Sequence, residues 1–591
     1  MLEQLSFFKK SSPITNISEV KDYDVVVIGA GSPGIPCAFK AAELGAKVAI
    51  VQKAKTAMAC GNVGAGIVLA ASDPYDVERL VNIMVKASDH RAKRDVIKMW
   101  AQNSGEAVDW MINLAKEAGA QAVQLGNAPH EPFLEAENLH LTFTTLMFGL
   151  KPYNTGRGVQ DISKLADKKG VDIFYETPAK QLVQNADGRV GVIAQNAEGR
   201  YIQFNASKGV LVATGDYAND DEMMHHYLPD MDHIERKRFG YTGDGHKMIA
   251  WVGGRMENVG HTKMAHDMDS GPNSMMSAPF MRVKLNGKRF CDETIGMEYM
   301  NCYLTSLEDS GHYCQIFDST YVEQGKKRGF TTEAPDSLRT WMPEEDVLHV
   351  GVIEPLIATY KADTLEELAA KLGIRVIPTF LNTVEHYNNR AGAGRDTEMG
   401  MDARMMCPIK QGPFYGIHRH IRFTVACSGM VVNERLEVLN NQDEPIPGLY
   451  AAGNLAGNFY GSADYPLDVF GINLGHNYTE GYVVAKEMMG VDEGSANAGN
   501  SISVEAVKVM QTASAQVPVQ PVSDNALTDK AETDNPTANK NATTGMHAKY
   551  ACPLCGHIYD ESKESIPFAE LPDDWTCPIC GAPKSYFEKV S

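Results

Sequence analysis

Apolar residues in the first half of this chain follow two alternating spacings. In YDVVVIGAGSPGIPCAFKAAELGAKVAIVQK (23–53) a solid apolar run predicts a buried strand over 24–28. A glycine turn follows, then helical spacing to about residue 44, Gly45 as the stop, and a second strand over 47–51. Pro33 and Pro36 fall in the first helical turn, where a missing N–H costs little. GRVGVIAQNAEGRYIQFNASKGVLVATG (188–215) reads as two short strands around an Asn-Ala-Glu-Gly turn and then a buried strand. ADTLEELAAKLGI (362–374) has the pattern of an amphipathic helix, with Thr364 as its cap and Glu366 and Glu367 in the first turn. This alternation predicts an α/β fold. The pattern stops at 493–547, where Ala, Asn, Thr, Ser and Val dominate and aromatic residues almost vanish. That segment reads as a disordered linker with at most one weak helix near 503–512. A coil of about 50 residues has a typical reach of roughly 40 Å.

Length and charge narrow the picture. At 591 residues the chain is too long for one core. A formal charge of −20 argues against nucleic acid or an anionic membrane as partner. No apolar run approaches the roughly 18 residues that a membrane span needs. The first residues, MLEQLSFFKKSSPITNISEVKDYD, lack the order of a secretory signal. Of eleven cysteines, seven (37, 60, 291, 302, 314, 407, 427) are scattered, which fits free thiols and a reducing cytoplasm.

Gly29, Gly31 and Gly34 form the G-x-G-x-x-G spacing between a strand and a helix. Bare glycines there admit a pyrophosphate, and Ser32 with the helix N-terminus supplies N–H donors. The second strand should end in an acid that grips a ribose; here it ends in Gln52, followed by Lys53. Gln can still hydrogen-bond a hydroxyl, so dinucleotide binding is expected without the usual charged grip. The glycines do not choose between FAD and NAD.

The other cysteines stand near the end of the chain. Cys552, Cys555, Cys577 and Cys580 make a Cys-x2-Cys-x21-Cys-x2-Cys pattern, which fits zinc or a single iron, since both take four thiolates tetrahedrally. The surrounding FAELPDDWTCPICGAPKSYF, with Tyr550, Tyr559, Phe568, Trp575 and Phe587, resembles rubredoxin and implies redox iron. The stretch between the pairs is shorter than in most rubredoxins, and His557 stands where an aromatic is more usual.

CGNVGAGIVLAA (60–71), LVATGDYAND (211–220), YTGDGHKMIAWVGG (241–254) and PIPGLYAAGNLAGNFYGSADYP (445–466) occur in that order. Together they resemble the flavoprotein family of soluble fumarate reductases and 3-ketosteroid dehydrogenases over about 22–490. The resemblance implies non-covalent FAD held by Gly61, Asn62, Gly66, Ala179, Thr214, Gly215, Asp244, Gly453, Asn454, Asn473 and Leu474, besides the glycine loop. It implies a Rossmann-like FAD-binding domain in two parts, 22–258 and 425–492, after an N-terminal extension, 1–21. An α+β capping domain, 259–424, is inserted between the parts; a linker, 493–547, and a small rubredoxin-like iron knuckle, 548–591, follow.

The chain departs from fumarate reductases where their chemistry sits. Met297 stands where the proton-delivering arginine is expected, with Glu298 and Tyr299 beside it. Thr424–Gly429 lacks the family histidine, and the carboxylate-clamping arginine falls near Asp464. Tyr465 instead matches the Tyr-Pro pair of ketosteroid dehydrogenases, whose hydroxyl polarises a carbonyl. Further candidates are His261 and Arg157 at cavity positions of the family. His418 and His420 would share one strand face as a proton donor or anion site. The expected function is an FAD-dependent reductase of an activated C=C bond. A reduced carrier (ferredoxin, flavodoxin or an NADH:rubredoxin-type reductase) would feed it through the fused rubredoxin. A ketosteroid-like dehydrogenase passing electrons to rubredoxin, and an electron-transfer or oxygen/peroxide-scavenging flavoprotein without organic substrate, are the alternatives.

Overall fold

The structure is a computed structural model. It describes residues 5–59, 61–148, 155–185, 188–237, 240–258, 260–349, 352–461, 465 and 469–491, and in the C-terminal unit 548–551, 558–561, 566–572, 575, 584 and 587–590. The chain opens with β1 (Ile17–Ile28), α1 (Gly34–Glu43) and β2 (Val48–Val51). β3 (Val63–Ile67), α2 (Pro74–Ala87), α3 (Arg94–Glu117), β4 (Ala122–Val123), α4 (Glu131–Glu137) and β5 (Phe143–Phe148) form a side layer whose strands run β3-β5-β4. α5 (Thr155–Lys168), β6 (Asp172–Phe174), β7 (Ala179–Gln184), β8 (Val190–Gln195) and β9 (Tyr201–Val212) return to the first sheet, and α6 (Asp221–Tyr227) and α7 (Asp244–Trp251) follow.

β1 begins at Ile17, ahead of the strand expected at 24. The early half, ISEVKDYD, has no apolar run because it pairs only with β9, from Ile17↔Tyr201 onward. Past Tyr23 the strand lies parallel between β9 and β2, and 25–28 are fully buried, as parallel strands with both faces covered must be.

An inserted unit begins at β10 (Lys263–His266). It contains β11 (Met281–Val283), α8 (Met297–Met300), β12 (His312–Asp318), α9 (Tyr321–Arg328), α10 (Pro335–Arg339), β13 (Thr359–Ala362), α11 (Leu365–Lys371), α12 (Ile377–Ala393), β14 (Phe414–His420) and β15 (Arg422–Ala426). Its antiparallel sheet runs β11-β12-β14-β13, and α11 and α12 pack Leu368, Leu372 and Phe380 onto one face through their own apolar cluster. The Thr364 hydroxyl caps α11 by accepting the Glu367 N–H at 3.2 Å, as its sequence predicts. β10 pairs antiparallel with β15, so the two connections to the first sheet form one ribbon.

β16 (Glu437–Leu439), β17 (Pro445–Ala451) and α13 (Ile472–Met489) complete the body. The large sheet runs β16-β17-β9-β1-β2-β6, with β7 and β8 joined through β9. In the C-terminal unit β18 (Lys549–Ala551), β19 (Ile558–Asp560) and β20 (Glu588–Val590) make a sheet ordered β19-β18-β20. The expected linker and its weak helix lie outside the described residues.

Candidate active site

The glycine loop sits at the carboxyl end of β1, between β9 and β2. Its glycines are demanded by backbone approach. A Cβ on Gly34 would stand 1.9 Å from the Gly29 carbonyl oxygen, and one on Gly29, which holds φ +104°, 2.4 Å from that of Ala213. Gly31 and the buried Ser32 open the turn into α1. Gln52 is buried, and its amide accepts the Ala30 N–H (3.3 Å) and donates to the Thr56 carbonyl (3.0 Å), tying the second strand's end to the loop.

Lys53 reaches instead to Asp244 at the start of α7 (3.2 Å). Burial opposes ionisation of Asp244, but Lys53, Thr242 and Lys247 hold its carboxyl below the usual range. The carboxylate stays 44% exposed, a ready acceptor for a sugar or ribityl hydroxyl. The buried Thr214 Oγ1, directly after β9, has no hydrogen-bond partner among the described residues. A closely approached glycine turn, an open carboxylate and an orphan hydroxyl at adjacent strand ends fit FAD, and these residues would hold it.

Other expected FAD residues divide by what they touch. Gly61 (φ +98°) abuts Leu474, and Asn62 beside it is exposed. Gly215 (φ +75°) packs under Tyr241. Gly66 serves packing, since its Cβ would meet the Ser104 carbonyl oxygen at 2.2 Å where β3 crosses α3. Ala179 starts β7. Asn473 donates its amide to Asn454 Oδ1 at 2.8 Å, joining the N-terminus of α13 to the loop after β17.

Tyr465 lies at that same helix end. Its hydroxyl accepts the Asn473 N–H at 3.1 Å, and its own N–H donates to the Lys263 carbonyl in β10, so it bridges α13 and the ribbon. Burial pushes its phenol up, partly offset by the backbone N–H groups of 473 and 472.

Across the ribbon a second buried group assembles. Tyr217 Oη and His261 Nδ1 are 2.6 Å apart, and His261 stacks on Tyr227 at 4.2 Å. Burial pulls His261 down to about 4, so the ring is neutral near pH 7. With Nδ1 accepting from the phenol, Nε2 carries the hydrogen. His246, fully buried edge-on to Tyr217, has neither ring nitrogen partnered among the described residues and is pulled down to about 3 by burial. Asp216 accepts N–H groups from Ala218 and Ala426, and burial pushes it up to about 7.

The remaining candidates stand apart from this group. Arg157 is exposed in the first turn of α5. Glu298 is in α8, its side chain outside the described residues. His418 and His420 do share one face of β14, but His312 from β12 joins them, 2.9 Å from His418 Nε2 and stacked on His420 at 3.8 Å. His418 Nδ1 donates to the Leu372 carbonyl (2.8 Å). Burial lowers all three imidazoles. In 261–269, Asp267 is paired with Arg419, and Asp269 with Arg422 and Lys237.

Sequence reasoning missed Tyr217, His246 and Glu480. Tyr217 follows the TGD of a quoted motif, and an aromatic at a core strand's carboxyl end was the available signal. Glu480 lies two turns beyond Asn473 on α13, and its Oε2 accepts the Gly453 N–H at 2.5 Å. Gly453, with φ +76°, leads the loop carrying Asn454. Burial pushes Glu480 up to about 8 against that hydrogen bond. The folded value lies above the unfolded one, about 4.3, so the folded chain holds the proton more tightly. Its contribution to stability is therefore complete below about pH 4 and falls as pH rises toward 8. Glu480→Gln should gain in Tm relative to the unaltered chain between pH 5.5 and 8.5; parallel melting profiles would refute this.

In the C-terminal unit, Tyr550 stacks on Phe568 at 4.1 Å, and Trp575 packs against Tyr559, Phe568 and Phe587. The four cysteines lie outside the described residues. The aromatic packing that would exclude water from a thiolate-ligated iron is in place, and Cys552, Cys555, Cys577 and Cys580 are the donors that would hold it.

Comparison with known proteins agrees with both units. The model of the FAD binding domain family matches residues 24–464, and that of rubredoxin matches 549–587. A vinyl phenol reductase of Lactiplantibacillus plantarum is 27% identical over 493 residues, covering 74% of this chain and 92% of its own. A urocanate reductase of Eggerthella lenta is 26% identical over 470 residues, covering 75% and 71%. Among solved structures, an open flavocytochrome c3 fumarate reductase superposes with a TM-score of 0.59 at 23% identity, covering 80% of this chain and 79% of its own. A 3-ketosteroid-Δ4-(5α)-dehydrogenase of Rhodococcus jostii RHA1 gives 0.58 at 20%, covering 80% and 98%. The chain belongs to the FAD binding domain family, and it is an FAD-dependent oxidoreductase that carries a C-terminal rubredoxin.

Proposed function

We propose that this enzyme reduces an activated C=C bond, of the enone, enoate or vinyl-arene class, with electrons delivered one at a time through its own rubredoxin. The observation that carries the reading is the joining of a two-electron flavin unit and a one-electron iron unit in one chain. The activities of the two reductase relatives support the substrate bond. When bound, FAD supplies a hydride to one alkene carbon.

The chain's residues supply orientation and the proton. The buried arginines Arg289 and Arg419 are committed to Glu293 and Asp396 and to Asp267, so neither serves as a clamp for a dicarboxylate. The Tyr-Pro match at Tyr465 favours a substrate whose activating group is a neutral carbonyl or phenol. Tyr465, accepting a backbone N–H at the α13 N-terminus, donates its proton toward such an oxygen. The buried Tyr217–His261 pair beside the ribbon holds the proton for the neighbouring carbon. The inserted unit acts as a cap that closes on the substrate about β10 and β15. The external donor is a low-potential one-electron carrier, and the location is cytoplasmic.

Dithionite-reduced enzyme, mixed anaerobically with a panel of enones, enoates and aromatic acrylates, is expected to reoxidise with at least one of them. No reoxidation across the panel, together with rapid flavin reduction by a saturated ketone, would reverse the direction. Tyr217→Phe should lower kcat on the order of 10²-fold with FAD content unchanged; an unchanged kcat would remove the pair from the mechanism.

A further inference from the structure

The turn between α2 and α3 carries an unusual charge for a chain of net −20. Within 86–98 it has five basic residues, Lys86, Arg91, Lys93, Arg94 and Lys98, against Asp89 and Asp95. Glu78 pairs with Arg94 and Lys98. Lys86, Arg91 and Lys93 are exposed and have no ion pair among the described residues.

The turn is held in a fixed shape at a telling place. Asp89 and His90 both take left-handed φ values, 51° and 60°. The Lys93 N–H donates to the Asn458 carbonyl at 2.7 Å, and a Cβ on Gly461 would lie 2.6 Å from Ala92 N. Ala92 shares one apolar cluster with Phe459, Tyr460 and Tyr465. The basic turn thus backs directly onto the loop whose far end sets Tyr465 against α13.

The chain also contains a partner of opposite sign. Residues 548–591 hold seven acidic side chains and four lysines. Four thiolates around ferric iron add about one further negative charge, and around ferrous iron about two. The 56 residues from 492 to 547 separate this unit from the end of the body.

We infer that the α2–α3 turn, centred on Arg91 and Lys93, is the surface on which the chain's own rubredoxin docks to pass electrons to the flavin. The inference rests on the proposed electron route. Each encounter oxidises Fe(II) to Fe(III) and gives the flavin one electron. Two encounters and one proton convert FAD to FADH⁻, and the external one-electron carrier re-reduces the iron each time. Opposite charge accelerates such encounters, and salt weakens the effect. Another basic run, Lys326, Lys327 and Arg328 in α9, sits on the inserted unit.

The test uses the full-length holoenzyme. Its iron is reduced by a rapid pulse and iron-to-flavin transfer is followed optically at rising ionic strength. Arg91→Glu/Lys93→Glu should slow transfer at low salt by about tenfold or more and abolish or invert its salt dependence. Arg91→Lys/Lys93→Arg should restore both, and Lys326→Glu/Lys327→Glu should leave both unchanged. Transfer that is fast in the charge-reversed variant and indifferent to salt would overturn the docking surface alone. Absence of iron-to-flavin transfer in the unaltered chain would overturn the electron route and the docking surface together.

Discussion

Gly34→Ala is expected to purify without FAD and to melt at a lower temperature than the unaltered chain. The added methyl would stand 1.9 Å from the Gly29 carbonyl and 3.2 Å from a Val27 methyl. Neither can yield easily, because Gly29 is itself pressed on Ala213 and Val27 is fully buried between two parallel strands. Relief requires α1 to lift from β1, which widens the turn that receives the pyrophosphate. Overpacking costs about 1–3 kcal/mol, and rigid backbone on both sides puts this site at the upper end of that range or above it. Gly392→Ala is the control. It lies exposed in α12 with open space around it, so it should be neutral or stabilise by up to about 1 kcal/mol. Flavin absorbance per chain and Tm measured on both variants check the prediction; equal FAD content would contradict it.

The second large effect concerns the iron. Cys577→Ser removes one of four thiolates and should leave the body folded and flavin-loaded while eliminating the iron chromophore. Turnover with the natural carrier should then fall on the order of a hundredfold or more, because the tethered relay and its millimolar effective concentration are lost. Turnover with dithionite, which reaches the flavin directly, should persist. The contrast between donors is the informative quantity. A variant that loses both activities would indicate a damaged fold, and one that keeps both would mean that electrons enter elsewhere.

The sequence made the glycine loop, α1, the second strand and the capped α11 legible because each is written in consecutive residues with one periodicity. Long-range geometry was not legible in the same way. His312 joins His418 and His420 only through the antiparallel register of β12 and β14, which pairs residues 108 apart at His312↔His420. Tyr217 and His261 meet because one follows β9 and the other precedes β10, with α6 and α7 intervening. The buried Glu480 was hidden because α13 is enclosed on nearly every side, so no polar stripe marks a solvent face. Tyr465 and Asn473 could be matched to motifs, yet their hydrogen bond emerged only from the fold.

The account depends most on charge passing from thiolate-held iron to FAD and then to an alkene. The direct measurement is anaerobic rapid mixing of the intact chain, oxidised at flavin and reduced at iron, with spectra recorded before and after adding an enone. The account predicts that the iron reoxidises as the flavin band bleaches, and that the enone then restores the flavin band with saturated product formed in step. Iron that stays reduced beside an oxidised flavin would contradict it.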